Sequence, residues 1–171
     1  RVQQLLERYD SLDREGLTIH FIGTLQTNKV KYIIDKVSMI HSLDSLKLAQ
    51  EIDKQAKKRG IVMDVLVEIN SGAEESKSGI LPEDVEDFIK SLQSLTSIRV
   101  RGLMTMAPVC ETKDEYKKYF EKTYAIYLDF LGEKRHNKIE HVLSMGMSDS
   151  YRVAIEEGST LVRIGRRLFK K

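Results

Sequence analysis

One cysteine, two prolines and no tryptophan stand among 171 residues. The lone thiol, Cys110, cannot close an internal disulfide or build a cysteine metal cluster, which fits a reducing, cytoplasmic setting. The lack of tryptophan excludes nothing by itself. No apolar run approaches the roughly 20 residues of a membrane span, and no signal peptide precedes the first helical pattern. An excess of one charge is also missing. A net charge of +2 gives no bulk field for nucleic acid or an anionic membrane surface. His20, His136 and His141 show no metal-ligand spacing with carboxylates or the cysteine, so no metal site is expected. Linkers, repeats and low-complexity tracts are absent, and residues 1–171 read as a single domain.

What is present is ordinary globular material, 41% hydrophobic and 32% charged, enough for one sizeable core. Val2, Leu5, Leu6 and Tyr9 follow helical spacing from the outset, without a preceding cap, and this opening helix is expected to end near Gly16. Leu17 to Gly23 reads as a strand, Lys29 to Ile34 as a short helix, and Val37 to Ser42 as a second strand. Asp44 can cap a helix whose apolar face is Leu48, Ile52 and Ala56, stopping at Arg59-Gly60. Ile61 to Ile69 is almost continuously apolar through Val67, as strands buried on both faces are. Pro82 suits the first turn of the next helix. Ile98 to Met106 is a fourth strand. Thr112 and Glu115 form a capping box for a long helix to about Leu131, ended by Gly132. His141 to Met145 and Leu161 to Ile164 complete six strands.

Strands and helices alternate throughout, the pattern of a parallel α/β domain. It suits either an open doubly wound sheet or part of a (β/α)8 barrel. A whole barrel takes about 250 residues, rarely fewer than about 200, so this chain is short by about two β/α units.

The densest signal lies at Leu143–Arg167. A strand ends in Ser144-Met145-Gly146-Met147-Ser148, a helix follows to Glu157 and Gly158, and the next strand stops at Gly165. Ser148 is expected to cap the helix. Two small-residue turns side by side would surround a phosphate with amides and a hydroxyl. Phosphate sites are frequent after the last two strands of a β/α barrel.

The segments HFIGTLQTNKVKYI (His20–Ile33), IHSLDS (Ile40–Ser45), EINSGAEESKSGI (Glu68–Ile80), RGLMTMAP (Arg101–Pro108) and LSMGMSDSYRVAIEEGSTLVRIG (Leu143–Gly165) resemble the pyridoxal phosphate homeostasis proteins over essentially the whole chain. The resemblance implies a TIM-type (β/α)8 barrel similar to the alanine racemase N-terminal domain, here strands three to eight. It also implies pyridoxal 5′-phosphate (PLP) as cofactor, a role in intracellular vitamin B6 homeostasis without turnover, PLP-requiring apoenzymes as possible recipients, and a monomer when full length. The family's Schiff-base lysine lies in a motif resembling AVSKTK that this sequence does not contain. Thr24, where the family often has histidine or proline, and the Arg166–Lys170 ending are smaller departures.

The same resemblance places the phosphate against Ser144, Gly146 and Ser148 on one turn and the backbone of Gly165 and Arg166 on the other. It sets Arg163 against the pyridine nitrogen, and strand alternation puts Arg163 and Gly165 on one face. His41, Ser42 and Met104 are further pocket candidates, each of which also reads as a plain core residue. Lys29 and Lys77 read as solvated loop lysines near the same face. Glu68 needs a partner, and Arg99 or Arg101 could supply one. Two other functions stay open: a PLP-dependent racemase or decarboxylase, and a barrel for another phosphate ligand. No acid/base set at the strand ends speaks for the latter, and Tyr151 reads as packed or solvated rather than as a base. An incomplete barrel would expose unpaired strand edges. The 171 residues alone are therefore expected to be marginally stable or to aggregate, and a cooperative, monomeric thermal melt would contradict this.

Overall fold

Period-two apolar alternation and helical stripes translate into a regular β/α succession in the computed structural model, which describes residues 1–13, 15–74, 77–134 and 141–169, without the side chains of 133 and 134. Helix α1 is Val2–Tyr9 and strand β1 His20–Phe21. A 3-10 turn, Thr27–Lys29, leads into α2, Val30–Ile33. Strand β2 is Met39–Leu43, α3 is Leu46–Lys58 and β3 is Met63–Ile69. The 3-10 turn Pro82–Asp84 opens α4, Val85–Ser91, and β4 is Ile98–Thr105. Then come α5 (Lys113–Lys134), β5 (Val142–Met147), α6 (Tyr151–Glu156), β6 (Leu161–Arg163) and a single turn, α7 (Arg166–Phe169).

All six strands run parallel and in chain order, β1 to β6. Their outer faces carry the main core, where Ile40, Val65, Val67, Leu103 and Leu143 meet Leu48, Ile52, Phe120 and Val153 of the helices. Met39, Leu66 and Met104, with Val142 beside them, form a second, separate cluster. Two faces buried by different partners explain why β3 reads as a nearly unbroken apolar run.

The sheet is curled, and one distance proves it. His41 on β2 and Ser144 on β5 approach to 3.1 Å through Nδ1 and Oγ. Three strand spacings in a flat sheet would hold them about 14 Å apart. The second cluster is therefore the barrel interior. Stepping two residues along the strands from Met39, Leu66 and Val142 gives His41, Glu68 and Ser144, so a polar layer lies directly above an apolar one. This is the architecture of a partial TIM-type (β/α)8 barrel.

Several local expectations are corrected. Helix α1 stops at Asp10 rather than near Gly16. Ser45, not Asp44, caps α3, its Oγ accepting the Leu48 N–H at 3.4 Å. Arg99 and Arg101 both donate to Asp64 at 2.6 Å, whereas the hydroxyl of Ser78 donates to Glu68 at 3.1 Å. Helix α5 continues past Gly132, and β1 and β6 are only two and three residues long. The Thr112–Glu115 capping box is present, as are the buried faces of α3 and the parallel β/α order. His136 lies outside the described residues. No helix among the described residues is long and apolar enough to cross a membrane.

Gly102 permits a close backbone approach between β4 and β5. Its φ is +149°, and a Cβ there would sit 1.9 Å from the Val142 carbonyl oxygen. That atom is backbone in the paired strand and cannot swing aside. Gly102→Ala is expected to lower stability by at least about 2 kcal/mol, read as a fall in the denaturation midpoint, while Gly132→Ala, with open space around it, leaves it unchanged or raised.

Candidate functional site

The C-terminal ends of β1, β2, β5 and β6 open into a cleft of about 730 Å³, whose lining includes His20, His41, Ser148, Arg163, Gly165 and Arg166. Both small-residue turns singled out in the sequence thus reach one cavity. A neighbouring cavity of about 520 Å³ is lined by Glu68, Asn70, Lys77, Ser78 and Met106, and it shares Met147 with the cleft.

Arg163 ends β6 and points inward. Its Nη1 donates to Ser144 Oγ at 2.6 Å and its Nη2 to the Thr105 carbonyl at 2.8 Å. Burial pulls the guanidinium down to about 10, with Glu68 opposing the shift, so it remains a cation at neutral pH. Ser144 is fully buried and joins Arg163 to His41. His41 Nε2 in turn lies 3.0 Å from His20 Nδ1. Burial pushes His41 down to about 3, and the adjacent His20 and the Arg163 cation push the same way. Burial also lowers His20, against the field of Asp64. Glu68 is raised by burial and by Asp44, with the Ser78 hydroxyl and the Arg163 charge opposing.

The turns differ from their expected roles. Ser148 does not cap α6. The cap position belongs to Ser150, whose Oγ accepts the Met147 N–H at 3.2 Å. Among the described residues no hydrogen bond engages the Ser148 hydroxyl, and it is left available to the cleft. Gly146 has a packing reason: its φ is +89°, and a Cβ would lie 2.5 Å from that of Ala154. Gly165 has open space where a side chain would stand, so the cleft reaches its backbone. The Arg166 side chain turns to Asp149 in an exposed ion pair.

Of the other pocket candidates, His41 lines the cleft. Ser42 does not; it is buried with its Oγ unpartnered among the described residues. Met104 is fully buried in the interior apolar cluster and does not line the cleft. Sequence reasoning missed His20 as part of this cluster, and Thr105 as the carbonyl that anchors Arg163. A histidine inside an otherwise apolar strand segment was the available signal for His20; a backbone carbonyl carries none. Lys77 pairs with Glu74 at 2.7 Å, in a loop that the Asn70 side chain ties to the backbone of Glu74 and Lys77. Tyr151 lies outside the cleft lining and accepts from Arg152 and Arg167.

His41 ties stability to pH. Its folded pKa lies below the unfolded value of 6.5, so below pH 6.5 the unfolded chain binds more protons and folding weakens as pH falls towards 3. His20 adds in the same direction; Glu68, raised in the folded state, acts oppositely. Denaturant midpoints are expected to fall between pH 7 and pH 4.5 by the equivalent of a few kcal/mol at most, and His41→Gln should flatten that dependence. An equally steep loss in His41→Gln would assign it elsewhere.

Residues 7–171 match the family described as alanine racemase, N-terminal domain. The chain is 47% identical to the pyridoxal phosphate homeostasis protein of Aquifex aeolicus over 169 residues, which covers 99% of this chain and 73% of that protein. It is 35% identical to the protein of the same name from Escherichia coli K12, covering 96% and 69%. Among solved structures it superposes on PipY of Synechococcus elongatus with PLP bound, with a TM-score of 0.82, 30% identity and coverage of 99% and 78%. The barrel geometry, the two turns and these likenesses converge, and the chain belongs to the pyridoxal phosphate homeostasis protein family.

Proposed function

We propose that this chain binds pyridoxal 5′-phosphate in the cleft between β1, β2, β5 and β6 and serves its homeostasis rather than its chemistry. The observation that carries the reading is the inward Arg163, held by Ser144 and Thr105 in the same cleft as Ser148 and Gly165. The donor set fits the ligand. The unengaged Ser148 hydroxyl and the backbone at Gly165 and Arg166 take the phosphate, where hydrogen bonds to an anion are charge-assisted. Ser144 is spent on Arg163 and His41 and supports the site from behind. Gly146 shapes the turn. Arg163 donates to the ring nitrogen.

Bound there, PLP supplies an aldehyde and an electron-withdrawing ring. Arg163 limits that chemistry, because a guanidinium donates a hydrogen bond but keeps its proton, and a ring nitrogen left unprotonated is a poorer electron sink. His41 is neutral and already bonded on both nitrogens, so it is a poor general acid. Recipients of the cofactor would be PLP-requiring apoenzymes. The racemase or decarboxylase reading keeps the support of the shared fold, and amino acid turnover decides it.

In the full-length protein, Arg163→Ala and Ser148→Ala are each expected to weaken PLP binding about tenfold or more in an absorbance titration, with unchanged circular dichroism. No racemisation or decarboxylation of amino acids should accompany binding. Wild-type affinity in both variants would remove PLP from this cleft, and steady turnover would replace homeostasis with catalysis.

A further inference from the structure

We infer that Ser144, His41 and His20 form a one-way hydrogen-bond chain that positions Arg163, so that these residues set the affinity for the ring of the ligand rather than for its phosphate. The inference rests on the reading of Arg163 as the ring-nitrogen contact.

The direction of the chain follows from what each group can do. A guanidinium only donates, so Ser144 Oγ accepts the Arg163 N–H across 2.6 Å. Ser144 is fully buried, and its own proton needs an acceptor. His41 Nδ1, at 3.1 Å, is that acceptor. His41 must then carry its proton on Nε2, and it donates that proton to His20 Nδ1 at 3.0 Å. His20 is left with its proton on Nε2. One polarity therefore runs from the cation on β6, through β5 and β2, to the histidine on β1. On its other side the guanidinium is held by the Thr105 carbonyl at 2.8 Å. Two fixed acceptors in different directions settle the plane of the group before any ligand arrives, and binding does not have to order it. Protonating His41 on Nδ1 would turn the acceptor of Ser144 into a second donor and break the chain at its middle.

The test compares PLP with its 1-deaza analogue, which has C–H in place of the ring nitrogen, on the full-length protein. Wild type is expected to prefer PLP by about tenfold. Ser144→Ala and His41→Leu should abolish most of that preference by weakening PLP alone, with the analogue unchanged. Ser144→Thr, which keeps the hydroxyl, should restore it. A wild-type preference that survives in Ser144→Ala and His41→Leu overturns the positioning role while leaving Arg163 as the ring contact. No preference in wild type overturns the Arg163 reading itself. Should the variants fail to fold, 15N NMR of the wild-type imidazoles decides: an Nε2–H tautomer for His41 upholds the chain, and an Nδ1–H tautomer refutes it.

Discussion

The contact between His41 and Ser144 bridges strands that lie three places apart in the sheet. Without curvature those side chains could not meet, and Ser144 could not join Arg163 on one side to His41 and His20 on the other. Curvature creates the interior, and the interior makes a half-buried cation tolerable by surrounding it with a hydroxyl, a carbonyl and the nearby carboxyl of Glu68. Placing an arginine in a protein interior costs several kcal/mol unless its N–H groups are met. Here the partners come from strands β4 and β5 at once.

Layering organises the interior. The ion pairs of Asp64 with Arg99 and Arg101, the apolar cluster of Met39, Leu66 and Met104, and the polar set of His41, Glu68 and Ser144 follow one another up the strands. The apolar layer separates two charged regions and supplies the rigid floor on which a ligand cleft can rest. It also raises the cost of ionising what lies above it. That is why His41 and His20 are pushed towards neutrality and Glu68 towards its protonated form.

The two glycines that stood out together serve different ends. Gly146 lets β5 and α6 close on each other, and a side chain would strike Ala154. Gly165 leaves backbone uncovered at the cleft. A serine–glycine turn motif in a sequence therefore mixes packing needs with binding needs, and only the surroundings separate them.

The amino-acid pattern by itself determined the β/α order, the parallel sheet and the buried face of α3, because these follow from periodicities that neighbouring residues enforce on one another. It also carried the family, through segments spread along the whole chain. The tertiary structure alone decided which polar groups become partners. Ser45 displaced Asp44 as a cap, and Ser150 rather than Ser148 took the cap position of α6, since both depend on where the first turn starts, a matter of one or two residues that packing settles. Arg99 and Arg101 went to Asp64 rather than Glu68 because strand register, not charge, sets which side chains meet. His20, His41, Ser144 and Thr105 were joined to Arg163 by the curl of the sheet. Such contacts between strands distant in sequence leave no periodic trace, for they arise from closure of the backbone and not from any local preference.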